Sequence, residues 1–427
     1  MGREKNSFIQ EVLKHIKSND ARHLVKDELA YHIKCSAEEF ERAGLSDEEA
    51  EKKAVEQMGS PIQLGLQFDK LYRPRVDWLM LSLLGLALCF GFLPMISTGY
   101  MSAPHFALNK ILIFLLGAAV AVGLMFINYQ RLIHHGFVLY GIGLAFLLAF
   151  HGTNFYVSGM PRLVIGPVKF ESMMALPILF LAWASFFENA RLKLWQLGLL
   201  FFFSLLFLIP VSVLPTIFLY IVMVLVMFAR RLSREFSFAK TTGVLAGIIV
   251  LFAAGFYIQM NNYQKLRFAG FLDPEGNPET FGYLYLKLRK TLSAAGWFGK
   301  GGQGEFLPAG HTEMAFVSIT HYAGWVMAAI LLTTLLLLAF RMASVLSKVH
   351  DSYGKMLVTG AVALFSAQLF YNIGMSIGLL PLTSVSLPFI SYGLMPTLIN
   401  AFIVGLVLSV YRRKDLPARE PSAPKPF

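Results

Sequence analysis

The chain has 427 residues, 56% of them hydrophobic and only 15% charged, with a formal net charge of +11 and a mean hydropathy of +0.58. Apolar runs near span length recur from Val76 onward, which excludes an ordinary soluble protein; they lack strand-like alternation, which excludes a membrane β-barrel. The expected class is all-α: a polytopic membrane protein of about ten transmembrane helices with a large extracellular loop, preceded by a small cytosolic helical bundle.

Residues 1–75 read as a cytosolic helical domain. Phe8, Ile9, Val12, Leu13 and Ile16 recur at helical spacing. A second helix is expected from Ala21 to about Ala43, stopped by Gly44. Ser46-Asp47-Glu48-Glu49 has the form of a capping box, in which the Ser46 hydroxyl accepts the Glu49 N–H. Gly59 ends that helix, and Ser60-Pro61 opens the next as N-cap and first-turn proline. No apolar h-region of a secretory signal is present in this charged segment. The run Gly44–Glu51, followed by Met58-Gly59-Ser60-Pro61, resembles a cytosolic helical module found before permease-like and signalling membrane domains in Gram-positive bacteria. That resemblance implies a regulatory or docking role.

The membrane domain is expected over 76–414, with spans at 76–96, 106–127, 132–150, 174–187, 194–213, 215–228, 241–258, 315–340, 356–379 and 387–411. Lys and Arg concentrate in alternate junctions: Arg131; Arg191 and Lys193; Arg230 to Lys240; Arg341 to Lys355; and Arg412 to Lys414. Short-loop cations mark the cytoplasmic side, so both termini are expected there. This accounts for much of the basic charge without nucleic acid. Cys35 and Cys89 are expected on opposite sides of the membrane boundary, so no disulfide and no cysteine metal site is expected. Residues 415–427, rich in proline and charge, are expected to form a disordered cytoplasmic tail.

Two outer loops carry the candidate chemistry. In the first, Gly159 to Glu171, glycines and prolines indicate a structured turn that presents Arg162 and Lys169 beside the outer leaflet. Both suit a phosphate, and both also suit snorkelling to the interface. The second is the extracellular loop 259–314. Residues 261–278 read as turn-rich, and 280–295 as an amphipathic interfacial helix. Gly296-Trp297-Phe298-Gly299-Lys300-Gly301 then offers backbone that can approach a ligand closely, with Lys300 as a point charge. Phe306 to Glu313 follows, with Glu313 as candidate general base and His311 beside it as a substrate-binding or hydrogen-bonding residue. No second His or carboxylate stands at ligand spacing, so no metal site is assigned; a divalent cation is the one cofactor left open.

Asn372-Ile373-Gly374-Met375-Ser376, Gly378-Leu379-Leu380-Pro381 and Leu387-Pro388-Phe389-Ile390-Ser391-Tyr392-Gly393 closely resemble the SEDS family (shape, elongation, division and sporulation), the RodA/FtsW group. Gly296–Gly301, Phe306–Pro308 and His311-Thr312 are similar to it in order and spacing. The resemblance implies ten spans and a peptidoglycan glycosyltransferase that polymerises lipid II, the undecaprenyl-pyrophosphate-linked disaccharide peptide. It also implies work beside a class B penicillin-binding protein. An aspartate follows His-Thr in the family as proposed base; Glu313 holds that place here. The family's Gln-Pro-Ser-Glu and Pro-Asp-Leu-Gly-Thr elements have no clear counterpart, which marks a divergent member. A non-catalytic relative that binds a lipid-linked precursor or a penicillin-binding protein is the alternative.

Overall fold

The structure, a computed structural model, describes residues 3–97, 104–157, 160–166, 168–299 and 307–416. The chain divides into two units, Met1–Val76 with Tyr411–Phe427, and Asp77–Val410.

The first unit holds α1 (Arg3–Lys14), α2 (Asn19–Arg42), α3 (Asp47–Gln57) and α4 (Pro61–Leu71). The expected stripe of α1 closes on α2: Phe8, Ile9, Val12 and Ile16 are buried with Val25, Leu29 and Ile33. Gly44 and Gly59 take φ of 94° and 79°, a left-handed conformation that ends a helix and that glycine adopts without a Cβ penalty. The Ser46 box forms differently from expectation. Its hydroxyl donates to the Glu49 carboxylate at 2.8 Å and makes no side-chain cap to the backbone. The tail also departs at its start: Leu416 is buried in the α1–α2 core, and Asp415 lies 3.5 Å from Arg75. Residues 417–427 lie outside the described residues.

The second unit runs through α5 (Trp78–Phe90), α6 (Leu93–Ser97), α7 (Pro104–Phe126), α8 (Gly136–His151), α9 (Ala175–Glu188), α10 (Leu194–Leu208), α11 (Leu214–Glu235), α12 (Phe238–Gln259), α13 (Asn262–Leu272), α14 (Tyr283–Ser293), α15 (Ala315–Ser344), α16 (Ser352–Ser376) and α17 (Leu394–Arg412). Among the described residues, 8 helical segments are long and apolar enough to cross a membrane, and two shorter apolar helices, Ser172–Glu188 and Phe238–Val250, stand at the fourth and seventh expected spans. The protein is thus an all-α, multi-pass membrane protein. Its only strands among the described residues are two small antiparallel hairpins between α8 and α9: β1 (Tyr156–Val157) with β2 (Met160–Pro161), and β3 (Leu163–Ile165) with β4 (Val168–Phe170).

Several polar groups inside the bundle are paired across helices, which an apolar solvent favours. Gln368 of α16 and Asn400 of α17 exchange two amide hydrogen bonds, at 3.3 and 3.0 Å. Trp183 of α9 donates to the Tyr220 hydroxyl of α11 at 2.6 Å. Asp77 caps α5 through the Met80 N–H and pairs with Arg341 Nε of α15 at 2.9 Å, tying the start of one span to the end of another.

Three expected spans are interrupted. The first breaks between α5 and α6 beside Gly91. The last begins at Leu394 rather than 387, because residues 387–393 form a turn instead of helix. The span expected at 315–340 is two helices end to end: Gly324 takes φ 85° and ψ 169° inside α15.

Candidate functional site

The break at Gly324 explains the glycine-rich turn before it. A broken helix exposes N–H groups that need acceptors. The Trp325 N–H donates to the Gly296 carbonyl and the Val326 N–H to the Trp297 carbonyl, both at 3.1 Å. A Cβ on Gly324 would lie 2.3 Å from the Trp297 carbonyl oxygen, and one on Gly299 would lie 2.0 Å from that of Tyr322. Gly299 and Gly324 therefore admit another stretch of backbone. Lys300, assigned from sequence to phosphate, lies outside the described residues.

The stretch read as turn-rich, 261–278, is helical over its first half. Asn261 accepts the Gln264 N–H at 2.8 Å while the Gln264 side chain accepts the Asn261 N–H at 3.1 Å, a capping box that starts α13. The amphipathic reading of 280–295 is realised in α14, which buries Leu288 and Leu292 against Met314 and Val317 of the α15 start and Met375 of α16. Both loop helices also grip the connection between α16 and α17. The Leu382 N–H donates to the Tyr285 hydroxyl at 2.8 Å, and Arg267 Nη2 donates to the Leu382 carbonyl at 3.1 Å.

Glu313 sits one residue before Met314, the N-cap of α15, on a turn fixed by its backbone. Three successive carbonyls are each taken by a distant donor. His311 O accepts from the Tyr392 N–H at 2.8 Å. Thr312 O accepts from the Ser391 hydroxyl at 2.6 Å. Glu313 O accepts from Asn372 Nδ2 at 2.9 Å. The same Asn372 amide donates to Val385 O at 2.7 Å, and the Leu387 N–H donates to the Ser391 oxygen at 2.9 Å. Two non-glycine residues take positive φ in these segments, Ala309 at 55° and Phe389 at 64°. Such strain persists where the surroundings over-determine the backbone, commonly at functional sites.

The side chains on this turn are half-buried. The Thr312 hydroxyl donates to the Glu313 carboxylate. The His311 ring lies 5.9 Å from that of Tyr392. Burial pushes the His311 pKa below its ordinary value, against the opposing pull of the Glu313 carboxylate. The half-helix begun at Ala315 turns the positive end of its dipole toward this turn, where negative charge is stabilised.

Arg162 and Lys169 stand apart, on the two hairpins. Arg162 pairs with the Glu171 carboxylate, and its carbonyl accepts from the Thr153 hydroxyl at 2.9 Å. Lys169 lies over the Phe155 ring at 5.9 Å. The described partners of both lie within the same connection. Sequence reasoning assigned no donors to the Glu313 turn, although it quoted Asn372, Ser391 and Tyr392 as motif residues. It also missed Lys110, only 2% exposed inside α7. The Lys110 ammonium and the Phe389 carbonyl crowd the same point beside Gly91, at 2.9 and 2.5 Å from where a Cβ there would lie. Among the described residues, no three His, Cys, Asp or Glu side chains cluster as metal ligands would.

A helical multi-pass bundle that holds an acidic turn at a broken span defines a membrane-embedded class with its candidate site at one end of the spans. The family model described as cell cycle protein (FtsW, RodA, SpoVE) matches residues 75–416, and the chain belongs to that family. It is similar to the Escherichia coli peptidoglycan glycosyltransferase MrdB, 30% identical over 183 residues, covering 40% of this chain and 50% of that one. It is also similar to a probable peptidoglycan glycosyltransferase FtsW of Idiomarina loihiensis, 26% identical over 381 residues, covering 82% of this chain and 90% of the relative. Against MrdB, the chain spans about half the relative's length. Among solved structures, a chain of a peptidoglycan synthase complex superposes with a TM-score of 0.68 at 23% identity, over 79% of this chain and 98% of that one. Thermus thermophilus rod shape determining protein RodA gives 0.58 at 21% identity, over 79% and 97%. At these identities the structural likeness establishes the shared fold.

Proposed function

We propose that this protein is a peptidoglycan glycosyltransferase. It polymerises lipid II at the outer face of the cell membrane, in wall synthesis linked to cell shape, division or sporulation. One observation carries the reading: the His311–Glu313 turn is clamped at three consecutive carbonyls by Tyr392, Ser391 and Asn372. Catalysis demands such fixed placement of a base. The likeness to MrdB and FtsW supplies the reaction class. Glu313 takes the proton of the acceptor sugar hydroxyl as that oxygen attacks the anomeric carbon of the donor, and the donor's undecaprenyl pyrophosphate leaves with the bonding pair. Arg162, Lys169 and Lys300 neutralise pyrophosphate on donor or acceptor, with His311 at the substrate. The alternating Lys and Arg of the loops support cytoplasmic termini, and a class B penicillin-binding protein is the proposed partner.

A second reading, a relative that binds the lipid-linked precursor without turning it over, is favoured by the pairing of Arg162 with Glu171, which occupies one assigned phosphate ligand. Polymerisation of labelled lipid II by the purified full chain, with and without candidate partners, separates the two. Glu313→Gln is expected to lower the rate by about 10²–10⁴-fold while lipid II still binds. Equal product from both proteins removes Glu313 from catalysis. Binding without product in the unsubstituted protein, with its cognate partner present, establishes the second reading.

A further inference from the structure

Lys110 is a cation inside a span: it lies on α7 and is only 2% exposed. An ammonium is not left in an apolar bundle without polar groups to hold its charge. No carboxylate pairs with it among the described residues. The polar atoms beside it are carbonyl oxygens. A Cβ on Gly91 would lie 2.9 Å from the Lys110 Nζ, 2.5 Å from the Phe389 oxygen and 3.0 Å from the Leu88 oxygen. Gly91 is the C-cap of α5, so the ammonium stands at the negative end of that helix's dipole, where a cation is favoured. The missing side chain at Gly91 is what lets the ammonium and the Phe389 carbonyl come together at the break.

Phe389 is a residue whose backbone needs holding. Its φ of 64° is strained for a bulky side chain, and such strain persists where neighbours fix the chain. Its ring is buried, which fixes the side chain, and its carbonyl is the group that faces Lys110. Two and three residues further on stand Ser391 and Tyr392, the donors to the Thr312 and His311 carbonyls. A second contact joins α7 to the same turn. The ring of Phe106, one helical turn before Lys110, lies 6.1 Å from that of Tyr392. Phe106 and Lys110 therefore meet residues 389–392 from one face of α7.

We infer that Lys110 is a positioning residue for the reaction. Its ammonium binds the Phe389 carbonyl across the break at Gly91 and fixes the left-handed turn that delivers Ser391 and Tyr392 to the Glu313 turn. It acts through backbone and touches no substrate. A lysine that served stability alone would behave differently on substitution. Lys110→Met keeps much of the stem and removes a desolvated charge, a change that is commonly neutral or stabilising. The positioning role therefore separates two quantities: the turn loosens while the melting temperature does not fall. The effect on turnover rests on the glycosyltransferase reading; the hold on the turn can be read without any turnover.

Hydrogen–deuterium exchange of the full chain in lipid nanodiscs, read on peptides covering residues 387–393, tests that hold. The Ser391 and Tyr392 amides donate to the Leu387 and His311 carbonyls. In Lys110→Met they are expected to exchange about tenfold faster, the effect of one charge-assisted hydrogen bond. Lys110→Arg, which keeps the charge, should restore most of the protection. Gly91→Ala, whose Cβ would displace the Phe389 carbonyl, should loosen the same amides with Lys110 still in place. In lipid II polymerisation, kcat of Lys110→Met should fall about tenfold with KM changed by less than about twofold, because the base is displaced while the substrate still binds. Unchanged exchange at 387–393 in Lys110→Met overturns the inference. So does faster exchange spread evenly over the membrane unit with a lower melting temperature, which marks a stability residue. Faster local exchange in a protein whose unsubstituted form makes no product would remove the glycosyltransferase reading and leave the hold of Lys110 on the turn standing.

Discussion

The Glu313 turn and the Arg162 hairpins both lie in polar connections between spans, and they are held in opposite ways. The hairpins are self-contained: Arg162 meets Glu171, its carbonyl meets Thr153, and strand pairs such as Val164 with Lys169 lie within one connection. The Glu313 turn is held from outside. Its donors come from α16 and from the α16–α17 connection, with Asn372 standing 59 residues further along the chain. A locally closed loop can shift as a body. A turn whose consecutive carbonyls are claimed by other elements moves only if those elements move. The difference teaches where fixed chemistry is to be sought: at the turn whose placement depends on the whole bundle.

The sharpest way to break this contrast is at Gly324. Alanine there must adopt φ 85° and place its Cβ against the Trp297 carbonyl. The expected cost is about 3 kcal/mol, from backbone strain and a displaced turn. It should be read as a lower melting temperature together with faster proteolysis of the connection between α14 and α15. An unchanged melting temperature would mean that the break is not part of the stable fold. Asn372→Ala comes next. It leaves the part-buried carbonyl of Glu313 and the buried carbonyl of Val385 unpaired, which costs about 2–3 kcal/mol. Its effect on polymerisation should exceed what the lost folded fraction explains, because it releases the base without touching it. A loss of activity no larger than the loss of folded protein would reduce Asn372 to a stability residue.

Legibility followed the same division. The spans, the α1 stripe and the amphipathic α14 were readable because each is periodic in its own residues. Motif residues were readable as a pattern, but their work was not: Ser391 and Asn372 act on carbonyls far away in sequence, and no spacing rule reports such a partner. Gly299 signalled a close backbone approach, yet glycine does not say what approaches. The α13 capping box was overlooked because polar residues mask the Asn261–Gln264 pairing. Lys110 was hidden because one lysine barely lowers the hydropathy of a long apolar run.

The hairpins test the other side of the comparison. Removing the ion pair by Glu171→Gln should change stability by no more than about 1 kcal/mol, since the pair is partly exposed and local. If Arg162 serves the substrate, Glu171→Gln should tighten lipid II binding while Arg162→Gln weakens it. If the pair only closes the hairpins, both variants should bind alike.

The smallest expected effect is on pH. Burial holds the His311 pKa below its ordinary value near 6.5, so the unfolded chain takes up a proton before the folded protein does. Stability from this group is complete above the unfolded value, falls as pH drops through it, and levels off below the folded value. His311 is half-exposed, so the slope should be shallow. The check is to follow unfolding from pH 7.5 down to pH 5 in the natural protein and in His311→Gln. The neutral amide should flatten the part of the curve just below pH 6.5. Superimposable curves would mean that burial at His311 does not reach its titration.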